Sequence, residues 1–267
     1  ATRHNGQDID IGLRRHYLYP GEPFSRAVMT PSHGAIITSA TLTDHTSREV
    51  DTPLPEDWQF AERLTATVYL PSPAVVSSVA SPFDYASQTK LLIVGDVDRD
   101  NIEQSAAAMA SLMKASQGGA LGLFTAIRRL KATYPHILSA LDDAQIPLYA
   151  QHMDALNLQT LLQMFREDRR SCLLGTDAVR DGIDVPGQAL QLIIFDRVPW
   201  PRPDMLFKAR ADHYGRDLWT DRATRMKLRQ AFGRLVRRGD DRGVFVVLDN
   251  RLPSRLLSAF PPGVVAE

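Results

Sequence analysis

The sequence predicts an α/β fold in which helices cover both faces of a mostly parallel sheet. From residue 91 onward, short apolar runs alternate with helical patterns, an order typical of consecutive βαβ units. The predicted strands are residues 91–94, 120–125, 147–150, 171–175, 190–195 and 243–248. Hydrophobic residues make up 44% and charged residues 23% of the 267 residues, which is ordinary for a soluble globular protein.

Helices are predicted between these strands from apolar residues at helical spacing. Asp100, followed by Glu103 three residues later, predicts a capping box at the start of the first one. Further helices are predicted from about 126 to 140, from 158 to 168 and from 221 to 238. In the last of these, Leu228, Ala231, Phe232 and Leu235 recur at the spacing of one buried face.

The first 90 residues show weaker patterns. Short strands are predicted near residues 15–19, 34–42 and 64–70, and the remainder of 43–90 is predicted to be a loop-rich passage interrupted by prolines. Residues 34–42 are an apolar run that ends in small hydroxyl side chains, Thr38, Ser39 and Thr41. Taken alone, such an ending is also compatible with a plain turn.

Composition limits the classes of function. The formal net charge is zero, so no basic surface is evident over the whole chain, although residues 222–242 are locally basic. Cys172 is the only cysteine, which excludes an internal disulfide and predicts an inert core residue. No apolar run is long enough for a transmembrane helix, which predicts a cytosolic protein without a membrane partner. The chain begins at Ala1 without Met, so we expect a cut or processed product.

One motif stands out near the C-terminus, with the pattern Gln230-x-x-Gly-Arg-x-x-Arg237. On a continuous helix, Gln230, Arg234 and Arg237 would lie within about 60° of one another. Two guanidiniums in register suit phosphate oxygens, because arginine keeps its charge and donates through a rigid fork. The alternative at this point is a solvated basic face of an amphipathic helix.

Other polar residues follow predicted strands, where ligands bind in parallel sheets. Thr125 ends one strand, Thr176 and Asp177 end another, and residues 181–187 form a turn with two acids. A threonine there can cap a helix through its hydroxyl, or its helix start can bind a phosphate. Asp184 can accept from sugar hydroxyls or fix a loop. Trp200, in a proline-rich loop, can stack on a base or anchor the loop in the core.

Four stretches in this order resemble motifs III to VI of superfamily 2 helicases, and most closely the DinG/XPD-like group. They are Thr38-Ser-Ala-Thr-Leu42, Gly119-Ala-Leu-Gly-Leu-Phe-Thr125, Gly175 to Gly187, and the Gln230 motif. The Asp-Val-Pro-Gly sequence at 184–187 and the loop Arg197-Val-Pro-Trp-Pro201 belong to the same likeness. The resemblance implies a RecA-like, three-layer α/β/α domain of the P-loop NTPase type.

The resemblance also implies that half of the motor lies elsewhere. A P-loop, an Asp-Glu pair of the Walker B kind and the iron–sulfur cysteines of the family are absent from the sequence. We therefore expect residues 43–267 to be the second RecA-like domain of a DNA helicase, and residues 1–42 to be a remnant of the first that ends in the motif III strand. ATP and Mg²⁺ would be shared with the first domain, and an iron–sulfur cluster is expected only there.

Residue roles follow from the resemblance. For the ATP site they are Arg237 as arginine finger, Arg234 beside it, Gln230 as their polar partner, and Asp184 with Gly182 near the ribose. Thr125, Thr176 and Asp177 are expected to contact the backbone of single-stranded or duplex DNA, and Ser39, Ala40 and Thr41 to couple DNA movement to ATP; no metal ligands are expected in this chain. The isolated chain is expected to be inactive, and the expected location is the cytoplasm, on the nucleoid in a bacterium. A nucleic-acid-binding or interaction module with degenerate motor motifs is the alternative, and an RNA motor is a third possibility.

Overall fold

The computed structural model describes residues 2–4, 7–10, 15–44, 55–183, 185 and 187–267. An antiparallel pair is formed by β1 (Thr2–His4) and β2 (Gln7–Asp10). The central element is a separate sheet of six strands: β3 (Thr89–Ile93), β4 (Ala120–Leu123), β5 (Leu148–Ala150), β6 (Cys172–Gly175), β7 (Leu192–Phe195) and β8 (Gly243–Val247). Their order in the sheet is β3-β8-β7-β4-β6-β5, and every neighbouring pair is parallel. The predicted fold class and all six strands of the sheet are confirmed.

Helices connect the strands. The α-helices are α1 (Gly21–Phe24), α2 (Pro55–Leu64), α3 (Tyr85–Gln88), α4 (Ile102–Ala115), α5 (Ile127–Asp142), α6 (Leu158–Glu167), α7 (Asp177–Gly182), α8 (Met205–Tyr214) and α9 (Arg216–Phe232). A π-helical turn covers Ser25–Met29, and short 3₁₀ helices cover Thr67–Tyr69, Gly187–Ala189 and Ser254–Ala259. Gly215, with a φ of 93°, allows the chain to turn between α8 and α9.

The sheet has an apolar layer on each face because its side chains alternate. In β7, Ile193 and Phe195 pack into one core with α6 and α9, while Leu192 and Ile194 pack into the other with α4 and α5. The three-layer arrangement follows from this alternation. Cys172 is buried in the second core, and burial raises the pKa of its thiol to about 12, which confirms the prediction of an inert core residue.

Three predicted strands in the amino-terminal part are wrong. Residues 15–19 and 34–42 contain no strand, and Ile36 is 95% exposed. Residues 64–70 instead contain the end of α2 and a 3₁₀ turn, separated by Ala66 in a left-handed conformation. An apolar run forms a strand only beside another strand, and none of the described strands lies next to these segments.

Two helix boundaries also differ from the predictions. Asn101, not Asp100, caps α4: its side chain accepts a hydrogen bond from the backbone N–H of Gln104. At the other end of the chain, α9 ends at Phe232 with Gly233 as its C-cap, rather than continuing to residue 238. The apolar face predicted for this region is nevertheless buried, including Leu235 beyond the helix.

Candidate functional site

The predicted site residues occupy both edges of the sheet. Thr125 follows β4 and Thr176 follows β6, so both lie at the edge formed by the carboxyl ends of the strands. The loop at 233–242, which carries Arg234 and Arg237, leads directly into β8 and lies at the opposite, amino-terminal edge. The structure therefore separates the two groups of residues, and α9 runs between them.

The carboxyl edge contains a cleft of about 610 Å³. Thr125, Thr176 and Asp177, the three residues predicted to contact nucleic acid, all line it. Three cationic side chains share the lining: Arg202, Arg210 and Lys227. Lys227, on α9, pairs with Asp177 at 3.0 Å. The structure thus brings Thr125, Thr176 and Asp177 together in a surface that is partly basic, although the chain as a whole has no net charge.

Thr176 is fixed by a residue that the sequence analysis missed. Its hydroxyl donates to Oε1 of Gln151 at 2.9 Å, and its backbone N–H donates to the same oxygen at 3.0 Å. Although Thr176 is at the N-cap position of α7, its side chain makes no capping bond. Gln151 immediately follows β5, as Thr125 follows β4, and this position was the signal that could have identified it.

Thr125 rests on a buried ion pair. Its backbone N–H donates to Asp196 Oδ1 at 3.2 Å, and Oδ2 of Asp196 accepts from Arg129 Nε at 2.6 Å. Burial raises the pKa of Asp196, and the Arg129 guanidinium opposes that shift. Helix capping by Thr125 is a wrong prediction, because α5 begins at Ile127 with Ala126 as its N-cap.

At the amino edge, the loop 233–242 is held by two further residues that the sequence analysis missed. Oδ2 of Asp241 accepts from the backbone N–H groups of Arg237 and Arg238, each at 2.8 Å. The buried amide of Gln88 lies 3.1–3.2 Å from the carbonyl oxygens of Arg238, Gly239 and Asp241. The backbone that presents Arg237 is therefore fixed from both sides.

The predicted helical register of Gln230, Arg234 and Arg237 is wrong, because only Gln230 lies on α9. Arg237 is exposed, and the guanidinium of Arg234 lies 3.4 Å from the carbonyl oxygen of Asp181, next to Gly182 at the end of α7. Asp184 lies outside the described residues. The structure thus brings Arg234 close to Gly182 by means of a loop rather than a shared helix face.

The segment 39–44 is attached to the middle of α9. Ser39, Ala40 and Thr41 form an exposed turn in which Ser39 Oγ accepts from the backbone N–H of Thr41 at 3.1 Å. Three residues further, Asp44 is 4% exposed and is held by Arg225 at 2.7 and 2.9 Å and by Arg222 at 2.9 Å. Burial alone would raise the pKa of Asp44, but these two guanidiniums outweigh it and hold the pKa below its ordinary value.

A third arginine of α9, Arg229, also contacts the segment 39–44. Its guanidinium donates to the carbonyl oxygen of Thr43 at 2.8 Å, and burial lowers its pKa. The helix that carries Gln230 at its last turn is therefore bound to the segment that follows Ser39 to Thr41.

Trp200 packs against the apolar core, which supports the anchoring role among the two roles considered for it. In the residues that the structure describes, no group of three or more His, Cys, Asp or Glu side chains is placed to hold a metal ion. Within the same residues, none of the helices has the length and apolar character needed to cross a membrane.

Comparison with known proteins decides the family. The model of a family described as the helicase C-terminal domain matches residues 109–263, more than half of the chain. The chain belongs to this family. The matched region of this helicase C-terminal domain includes Thr125, Thr176 and the Gln230 motif, and so covers both edges of the sheet.

Curated relatives agree with this assignment. The ATP-dependent helicase DinG of Mycobacterium tuberculosis is 34% identical over 194 residues, which is 68% of this chain and 28% of that protein. The ATP-dependent DNA helicase YoaA of Escherichia coli K12 is 30% identical over 200 residues, again 68% of this chain and 30% of that protein. The chain thus spans less than a third of the length of these relatives.

A solved structure titled XPD helicase has the same fold as this helicase C-terminal domain. It superimposes with a TM-score of 0.52 at 16% identity and covers 67% of this chain and 35% of the other. At that level of identity, the likeness supports the fold alone.

Proposed function

We propose that this chain is the second of the two motor domains of an ATP-dependent DNA helicase. The observation that carries the proposal is the division of its polar residues between the two edges of one sheet. A helicase motor needs a nucleic-acid surface and a phosphate-sensing surface that move together, and α9 lines the first while it leads into the second. The two relatives described above are named as ATP-dependent helicases, which agrees with this function.

At the amino edge, the proposed role of Arg234 and Arg237 is to reach the γ-phosphate of ATP bound by the first motor domain. Arg237 would be the arginine finger, since it is exposed on a loop whose backbone Asp241 and Gln88 hold in place. Phosphoryl transfer depends mainly on positioning and charge stabilisation, which a guanidinium on a fixed backbone can supply. Gln230 would orient the arginines, and Gly182 and Asp184 would lie near the ribose.

ATP and Mg²⁺ would be bound mainly by the first motor domain, so this chain contributes half of the site. Residues 1–42 would be the end of that first domain and residues 43–267 the second. An iron–sulfur cluster, if the whole protein has one, would lie in its other domains. The protein would act in the cytoplasm, on the nucleoid in a bacterium.

At the carboxyl edge, Thr125, Thr176 and Asp177 would contact the backbone of single-stranded DNA in the cleft. Thr176 already donates its hydroxyl hydrogen to Gln151, so a phosphate contact by that hydroxyl requires it to turn away from Gln151. The amide NH₂ of Gln151 is a further donor at the same place. Arg202 and Lys227 supply positive charge, and unwinding of duplex DNA would follow from movement of this strand through the cleft.

Coupling between the two edges would run through Ser39, Ala40 and Thr41. These residues lead into Thr43 and Asp44, which are attached to α9 by three arginines. Closure of the interdomain cleft around ATP would therefore pull on the helix whose side chains line the DNA cleft. In this mechanism each ATP cycle opens and closes the interdomain cleft once and moves the DNA strand through the DNA cleft.

Replacing Arg202 with glutamine tests the DNA part of the proposal. We expect the chain to bind single-stranded DNA more weakly after this change, because Arg202 lies in the cleft and neutralises about one phosphate. The slope of log affinity against log salt should fall by about 0.7, the value per phosphate for single strands. Binding is measured by fluorescence anisotropy with labelled oligo-dT over a series of salt concentrations.

Arg216→Gln is the matched control, because Arg216 is an exposed arginine on α9 outside the lining of the cleft. Its salt slope should equal that of the wild type. Equal effects of the two substitutions, or no measurable DNA binding by the wild-type chain, would count against a DNA site in this cleft.

A further inference from the structure

A second cavity, of about 240 Å³, lies beside the DNA cleft. It is enclosed by the amino-terminal segment (residues 15–24), by α2 and by the α8–α9 pair. Aromatic rings from all three parts form its walls: Tyr19, Phe24, Phe60, Tyr214 and Trp219. The cavity is smaller than the roughly 300–1,000 Å³ sites that hold drug-sized ligands, so it suits a single ring system.

The walls of the cavity offer flat aromatic surfaces. Tyr214 and Trp219 are stacked, with ring centroids 5.2 Å apart and planes inclined by 22°. Trp219 Nε1 is buried and has no hydrogen-bond partner among the residues that the structure describes. Because this nitrogen is buried, a ligand in the cavity would meet the ring of Trp219 rather than its N–H.

Positive charge surrounds the same cavity. Arg63, Arg210 and Arg222 are part of its lining. Arg222 is paired with Asp44, and its guanidinium lies 3.8 Å from the ring centroid of Phe60. The surroundings of the cavity thus favour a ligand that combines an aromatic ring with a negatively charged attachment. A nucleobase on a phosphate backbone has both.

The cavity adjoins the DNA cleft. Arg210 and Trp219 line both of them, so the two spaces share a wall. A strand held by the cleft would therefore pass close to the cavity. One base could then enter the cavity while the adjoining phosphates stay near Arg210, which lines both spaces.

We propose that this cavity accepts one nucleobase of the single-stranded DNA bound in the cleft, with Trp219 as its stacking partner. The proposal rests on the proposed function, because it needs a strand in the cleft. Such a base would be held out of line with its neighbours and would fix the register of the strand against the domain.

The test is a scan with abasic oligonucleotides and the 267-residue chain. A single abasic site is moved along the shortest oligo-dT strand that binds with full affinity, so that the strand cannot shift its register, and each affinity is measured by fluorescence anisotropy. One position should bind about 5- to 150-fold more weakly than the intact strand, the range expected when one stacked base is lost. Trp219→Leu should make all positions equivalent.

Phe24→Ala is the second variant, because Phe24 is 47% exposed at the cavity and its loss does not open the core. It should reduce the penalty at the sensitive position. Tyr17→Ala is the matched control: Tyr17 is also 47% exposed, lies in the same segment and does not line the cavity. The control should show the full penalty.

Two results would overturn the proposal, and they are distinguishable. If the chain binds oligo-dT but every abasic position has the same affinity, the cavity takes another ligand, such as an aromatic side chain of a protein, while the DNA cleft stands. If the chain binds no single-stranded DNA, the DNA part of the proposed function fails together with the base pocket.

Discussion

Replacing Arg237 with alanine is expected to lower kcat for DNA-stimulated ATP hydrolysis by about 10³- to 10⁵-fold. The experiment needs a protein in which this chain follows a first motor domain with a P-loop. The physical reason is that a guanidinium on a rigid loop stabilises charge that develops in the transition state without having to reorganise first. ATP binding should change little, because the first domain supplies most of the contacts to the nucleotide.

Arg238→Ala is the control for this prediction. Arg238 is also exposed, carries the same charge, and donates its backbone N–H to the same Asp241 oxygen. Turnover should stay near that of the wild type when its side chain is removed. Equal losses in the two variants would mean that the loop contributes general positive charge, and the finger assignment of Arg237 would then be wrong.

Asp44→Ala is expected to destabilise the chain by about 3–5 kcal/mol, the range for removal of one partner of a buried ion pair. Asp44 accepts hydrogen bonds from two guanidiniums, and the side chain of Arg225 is only 6% exposed. Without the carboxylate, Arg225 would be left buried without its main counter-charge. Urea unfolding of the variant and the wild type measures the difference in free energy of unfolding.

The same ion pair predicts a dependence on pH. The folded pKa of Asp44 lies below its ordinary value, so the contribution of this group is complete above the unfolded pKa of about 3.9 and is lost as pH falls through the folded pKa. The stability difference between wild type and Asp44→Ala should therefore shrink below pH 3.9.

Asp212→Ala provides the comparison. Asp212 pairs with Arg216 at 3.4 Å, but both side chains are largely exposed. Its removal should cost at most about 1 kcal/mol, as for other surface ion pairs. If Asp44→Ala were no more destabilising than this control, the contacts of residues 43–44 with α9 would contribute little to the stability of the fold.

The strands of the sheet could be predicted from the sequence because most of them are short apolar runs, and the central ones are buried on both faces. Residues 172–175 and 192–195, for example, are buried throughout. The runs at 15–19, 34–42 and 64–70 have similar composition but no neighbouring strand in the described residues. Composition alone does not reveal whether such a neighbour exists.

The site was predictable to a similar extent. The sequence identified residues that follow strands, and Thr125, Thr176 and Asp177 lie together in the cleft. Their contact with nucleic acid stays a prediction. It did not identify the residues that hold the site in place, because the partners are far apart in the sequence. Thr125 and Asp196 are 71 positions apart, Gln88 and Arg238 are 150 apart, and Asp44 and Arg225 are 181 apart. The end of α9 at Phe232 moved Arg234 and Arg237 from a helix face to a loop that only tertiary contacts define.

ATP hydrolysis by the chain alone, with and without single-stranded DNA, tests the central claim most directly. The same assay is run on a protein that joins a first motor domain to the chain. The two-domain account predicts no turnover by the chain in either condition, and DNA-stimulated turnover by the longer protein. Clear turnover by the chain alone would contradict the account, since it would mean that a complete ATP site lies within these residues.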